Sequence, residues 1–217
     1  MARKILAEAL GALLLTACVV GSGIMAERLA AGNAAVALLA NTLATVAALA
    51  TLIVLFGPVS GAHFNPAISV VALYRRQIDA STAAMYVVAQ IVGCCAGAML
   101  ANAMFELPLV NLSSHARHGP AQWLSELVAT AGLVLIAFRS PDIREAAWRV
   151  ALWIGAAYWF TASTSFANPA ISIGRALSDS FAGIRPVDVP GFIAAQLAGA
   201  VLGVVLLRAL GERKVAT

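Results

Sequence analysis

Long apolar runs alternate with short polar joints along this chain, at about residues 5–25, 34–56, 82–105, 121–138, 147–164 and 190–207. Each approaches the ~20 residues that an α-helix needs to cross the ~30 Å hydrocarbon core of a bilayer. Six transmembrane helices are predicted. Two further runs, 66–74 and 169–178, are too short to cross, and each opens with proline directly after asparagine. Asparagine is a strong N-cap and proline suits the first helical turn, where its missing N–H costs nothing. These runs predict half-helices that enter the membrane and stop inside it. The expected class is an all-α membrane protein with six spans and two re-entrant half-helices.

Composition agrees with the pattern. Of the 217 residues 61% are hydrophobic and 11% charged, against about 25% charged in an ordinary soluble domain. Six spans with short joints use up the length, so residues 1–217 are expected to form one membrane domain with no room for a soluble catalytic unit. The net charge of +4 does not point to nucleic acid, because the basic residues sit in short clusters between apolar runs and report topology. An N-terminus on the inside puts Arg3, Lys4, Arg75, Arg76, Arg139, Arg144, Arg149, Arg208, Arg213 and Lys214 on the cytoplasmic side, ten of the fourteen Lys and Arg residues. Arg28, Arg117, Arg175 and Arg185 fall on the other side. Both termini are thus expected in the cytoplasm. Glu8 interrupts the first run, which continues to about Met25, so it reads as an uncleaved span rather than a signal peptide.

The chain also repeats itself. Asn65-Pro66-Ala67-Ile68-Ser69 returns 103 residues later as Asn168-Pro169-Ala170-Ile171-Ser172, Glu8 of the first span has a counterpart in Glu126 of the fourth, and Gln90-x-x-Gly93-x-x-x-Gly97 matches Gln196-x-x-Gly199-x-x-x-Gly203. Three spans per half force opposite orientations, so the repeats, about 1–108 and 119–210, are inverted. That plan places a site where the repeats meet, near mid-membrane. The glycine pairs are expected to let the third and sixth spans pack closely. Cys18, Cys94 and Cys95 lie in apolar runs without metal-site or disulfide spacing; the tandem Cys94-Cys95 beside Gly93 and Gly97 reads as helix packing, and no metal or cofactor is expected.

Two half-helices meeting tip to tip would aim both positive dipole ends, each about half an elementary charge, at one point. Cations and protons are repelled there, whereas a neutral hydroxylated solute can accept hydrogen bonds from the asparagine amides. With Gly61-Ala62-His63-Phe64-Asn65-Pro66-Ala67 and the second Asn168-Pro169-Ala170, the chain resembles the major intrinsic protein family of aquaporins and aquaglyceroporins over essentially its whole length. The resemblance implies an aquaporin-like channel of six helices and two half-helices, a pore in each protomer, a homotetramer, and no enzymatic activity.

The same resemblance assigns roles. Glu8 and Glu126 are implied to hydrogen-bond the re-entrant loops; a proton relay is the competing reading for ionisable groups within spans. His63 reads equally as a gate or proton acceptor and as a vestibule residue that braces the loop. Carried over by spacing from the triplets, the selectivity constriction falls on Thr45, Ala156, Ser165 and Ile171. Most family members have arginine where Ile171 stands, so this constriction is expected to be wide, arginine-free and less polar, and to pass larger neutral solutes. The stretch Ser165–Asp179 resembles the bacterial aquaglyceroporins associated with arsenic resistance, which implies glycerol-like polyols and metalloid hydroxides such as arsenite as solutes beside water, and a bacterial inner membrane. A strict water channel and a proton-coupled secondary transporter remain as alternatives. Arg175, one turn beyond Ile171, either reaches back toward the constriction or, as the simpler expectation, is an outer-surface charge paired with Asp179 at i+4.

Overall fold

The computed structural model describes residues 1–211, and Arg213 and Lys214 of the topology count lie outside that range. The described chain runs through α1 (Ala2–Leu29), α2 (Ala34–Ser60), α3 (Pro66–Tyr74), α4 (Ala80–Met104), α5 (Pro120–Arg139), α6 (Ile143–Phe160), α7 (Pro169–Arg175), a 3-10 turn (Pro186–Asp188) and α8 (Val189–Ala209). The starts are written in the sequence. Asn33 caps α2 through Ala35 and Val36 N–H, Asp79 caps α4 through Thr82 N–H, and Asp142 caps α6 through Arg144 and Glu145 N–H. Helix α2 stops at Gly61, whose φ of 90° is the left-handed conformation that glycine adopts at least cost.

Helices α1, α2, α4, α5 and α8 are each long and apolar enough to cross a bilayer. Helix α6 has 18 residues and carries Arg144, Glu145 and Arg149 in its first two turns, so it does not meet that measure. It occupies the place of α2 in the second half and packs against α2 and α5. Its position departs from the expected run at 147–164 by four residues. Asp142 starts the helix early, and the chain must leave it after Phe160 because the backbone that follows is committed to side-chain acceptors. Ala162 N–H donates to Ser125 Oγ, and Phe166 and Ala167 N–H donate to Glu126.

The glycines do bring helices close, but to partners other than the pattern implied. Gly93 and Gly97 of α4 lie on the backbone of α1 at Ala9 and Leu13, and Gly199 and Gly203 of α8 lie on α5 at Leu127 and Ala131. Each pair therefore seals the first and third spans of its own half. The basic residues segregate by end. At one end Arg139 Nη1 donates to Gly211 O at 3.0 Å and the Arg208 guanidinium lies over the Tyr74 ring. At the other, Arg28 Nη2 donates to Phe105 O at 3.1 Å and Phe181 N–H donates to Glu27.

Candidate functional site

The two half-helices α3 and α7 meet through their caps. Asn65 Oδ1 accepts from Ala67 N–H at 2.9 Å, while its Nδ2 crosses to Ala167 O of the other half at 2.7 Å. Asn168 mirrors this, with Oδ1 accepting from Ala170 N–H at 3.0 Å and Nδ2 donating to Phe64 O at 2.8 Å. Each asparagine thus caps its own half-helix and holds the tip of the other. A primary amide has two donor hydrogens, so one per asparagine remains for whatever occupies the cavity that both residues line.

The loops leading into these caps are strained in matching places. Ala62 and Phe64 have φ of 49°, and their counterparts Ser165 and Ala167 have φ of 49° and 45°, a conformation that costs a non-glycine residue about 1–3 kcal/mol. Two buried glutamates hold them. Glu8 accepts from Ser60 Oγ, His63 N–H, Phe64 N–H and Gln90 Nε2 at 2.6–3.0 Å. Glu126 accepts from Ser163 Oγ, Phe166 N–H, Ala167 N–H and Gln196 Nε2 at 2.6–2.9 Å. Both side chains act only as acceptors and neither lines the cavity, a geometry that fits bracing. The structure places His63 on the cavity wall, with Nδ1 3.0 Å from Ser69 Oγ.

A single cavity of about 670 Å³ runs from Arg75, Arg139 and Ser140 at one end, past the asparagines, to Thr45, Tyr158, Ser165, Ile171 and Arg175. One wall is apolar, built by Leu15, Val19, Leu49, Ile53, Leu133, Val150 and Ile154. The loops Gly61–Asn65 and Ser165–Asn168 form the other. Thr45, Ser165 and Ile171 are buried and line this cavity. Ala156 does not; it is exposed on the outer face of α6. The cavity-facing positions of α6 are Val150, Ile154 and Tyr158, spaced by four, and Ala156 sits roughly 200° around the helix from its neighbours in that row. Tyr158, which the sequence did not single out, stands 3.3 Å from Thr45 Oγ1 through its hydroxyl. The expectation that Ala156 faces the cavity is therefore corrected: the α6 residue beside Thr45 is Tyr158, a larger and hydroxylated side chain.

Arg175 also departs from its simpler expectation. It is 2% exposed and lines the cavity. Asp179, its expected partner, accepts instead from Ser114 N–H and Oγ. Arg175 lies 3.3 Å from the centroid of the Phe166 ring and donates from Nε to Ala182 O. The cavity wall around Ile171 is thus not free of arginine: Arg175 joins it from one turn beyond Ile171. A second buried arginine joins it from the connection between the halves. Arg117 donates to Gly183 O, Ser163 O and Phe181 O, with its guanidinium also over Phe166. Partial burial, and then the charges of Arg117 and Arg175, lower the nearby His115 imidazole below its ordinary value. No local pattern marked Arg117, an isolated charge in a polar loop.

Inverted halves of three spans, joined tip to tip through capped half-helices around one cavity, define a transmembrane channel. The chain belongs to the major intrinsic protein family. That family's model, Major intrinsic protein, matches residues 1–159. Aquaglyceroporin AqpS of Rhizobium meliloti (strain 1021) is 52% identical over 210 residues, 96% of this chain and 90% of that protein. The lens fiber major intrinsic protein of Gallus gallus is 38% identical over 148 residues, 66% of this chain and 55% of that one. The X-ray structure of the aquaglyceroporin from Plasmodium falciparum is alike in fold, with a TM-score of 0.67 at 20% identity over 95% of this chain and 94% of that one.

Proposed function

We propose that this chain is a passive pore for small neutral hydroxylated solutes, glycerol-like polyols and metalloid hydroxides such as arsenite, together with water. The observation that carries the reading is the two-sided cavity: an apolar wall facing a strip of asparagine amides, hydroxyls and loop backbone. A polyol presents C–H on one side and O–H on the other, and such a wall can meet both. Among the described residues the cavity wall contains no carboxylate, so proton or cation coupling through an acidic relay has no group to use. The likeness to aquaglyceroporin AqpS supports the polyol side of the proposal. A homotetramer in a bacterial inner membrane, with the end bearing Arg75, Arg139 and Arg208 in the cytoplasm, completes it.

Proteoliposome flux tests the reading. The wild type is expected to equilibrate glycerol and arsenite without a proton gradient, at rates nearly linear in concentration; saturation or gradient dependence points to a transporter. Ile171→Arg is expected to keep water permeability and to slow glycerol and arsenite by about tenfold, a barrier increase of ~1.4 kcal/mol. Unchanged fluxes in this variant remove Ile171 from the selectivity argument. Helix phase gives a second comparison: Tyr158→Ala is expected to raise glycerol flux relative to water, whereas Ala156→Trp leaves both unaltered. The reverse outcome would return Ala156 to the constriction.

A further inference from the structure

The Arg175 guanidinium is a buried cation without a counter-ion. Its Nε is taken by Ala182 O, but its Nη1 and Nη2 have no hydrogen-bond partner among the described residues, and neither nitrogen is sealed from solvent. The acids around it are committed elsewhere. Asp179 accepts from Ser114, Glu27 from Phe181 N–H, Asp188 from Arg185 and Arg117 N–H, and Glu126 from its four donors. The neighbouring Arg117 adds a second positive charge rather than cancelling the first. A charge held at membrane depth with no ion partner is costly, and such groups mark solute pathways.

We propose that Arg175 is the specificity-determining residue of the outer pore: from its own position in α7 it supplies the positive potential that excludes cations and protons, and its free Nη donors receive neutral polyhydroxylated solutes. The inference rests on the pore reading above. Three features of the site fit it. The planar fork is fixed by stacking on Phe166 and by the bond to Ala182 O, so the two Nη groups are presented without loss of side-chain freedom on binding. Tyr158 lines the same cavity with its hydroxyl 3.3 Å from Thr45 Oγ1, so guanidinium and hydroxyl groups stand together on one wall. Ile171 occupies the preceding turn with an apolar side chain, which keeps the opening wide while the charge stands behind it. Barrier and width are thereby separated between two residues.

The test uses the full-length protein in proteoliposomes, with water, glycerol, proton and methylammonium fluxes read in parallel. Arg175→Met and Arg175→Gln are expected to raise the ratio of proton and methylammonium flux to water flux about tenfold or more over wild type; the glutamine keeps a planar group able to donate to Ala182 O, so it carries the test if the methionine variant does not fold. Adding Ile171→Arg to either variant is expected to close the cation leak again. That rescue separates charge from structure, because an arginine at 171 cannot restore the packing lost at 175. Neutral variants that stay tight to cations overturn the proposal, as does a leak that Ile171→Arg leaves in place. A wild type that conducts neither water nor glycerol tells instead against the pore reading.

Discussion

Glu126→Leu is expected to remove the folded protein from the membrane fraction, not to slow it. The carboxylate is fully buried and takes four hydrogen bonds, two of them from the backbone N–H groups of Phe166 and Ala167. Leucine would leave the Phe166 and Ala167 N–H groups buried and unpartnered, at about 1–3 kcal/mol each, and would take one hydrogen bond each from Ser163 Oγ and Gln196 Nε2, the latter keeping its bond to Ser172 Oγ. The sum is comparable to the ~5–15 kcal/mol by which a whole domain is stable. The same bonds hold Ser165 and Ala167 at positive φ, so their loss also releases the loop that positions Asn168. Glu126→Gln retains one acceptor oxygen but turns an amide NH₂ toward donors, and should be intermediate. The measurements are yield of monodisperse protein in detergent, the thermal unfolding midpoint and water permeability. Wild-type values for the leucine variant would mean that something else braces the loop. Full water permeability in the glutamine variant alongside altered proton flux would revive the relay.

Gly97→Val should be nearly as damaging, for a steric reason. A Cβ at this position would meet the Leu13 carbonyl inside contact distance, with Ala17 N and Thr16 Cβ each 3.0 Å away. Two of these three are helix backbone, so relief requires α1 and α4 to separate. Overpacking in a rigid core typically costs about 1–3 kcal/mol. Here the separation also stretches the 2.8 Å bond from Gln90 Nε2 to Glu8 across the same interface. Gly21→Ala on α1 is the control, since its Cβ would find only the Phe105 ring at 3.5 Å and Ala101 Cβ at 3.9 Å. It should be neutral, or slightly stabilising through the ~1 kcal/mol helix preference of alanine over glycine. Equal loss in both variants would show that the method reports general sensitivity of α1 and α4, not this contact.

Much of the site was readable before any coordinates. The triplets carry their own geometry, because an asparagine that caps and a proline at the first turn start a helix wherever they occur, and two copies in inverted halves can only face each other. Buried Glu8 and Glu126 could be picked out because an acid inside an apolar span needs a reason to be there. Ala156 shows where this stops. In a membrane helix both the lipid-facing and the pore-facing sides are apolar, so α6 has no polar stripe from which to read its phase: Trp148, Leu152 and Trp159 are exposed, while Val150 and Ile154 line the cavity. Counting back from Asn168 then depends on how the chain leaves the helix after Phe160, which is set by acceptors on α5.

The sequence by itself determined the number and order of the spans, the inverted repeat, the capped half-helices and the segregation of basic residues, because each follows from local chemistry: hydrophobic length, capping and the cost of charge in lipid. Tertiary structure alone decided which side chains meet around Ile171. Arg175 looked like a surface charge four residues from Asp179, and it became part of the pore wall because Ser114, brought in by the connection between the halves, occupies that aspartate. Tyr158 reached the cavity wall, and Arg117 its place over Phe166 behind that wall, in the same way, through contacts between residues far apart in the chain. Partner choice among distant polar groups depends on which of them the fold brings within 3 Å, and no spacing along one strand of sequence records it.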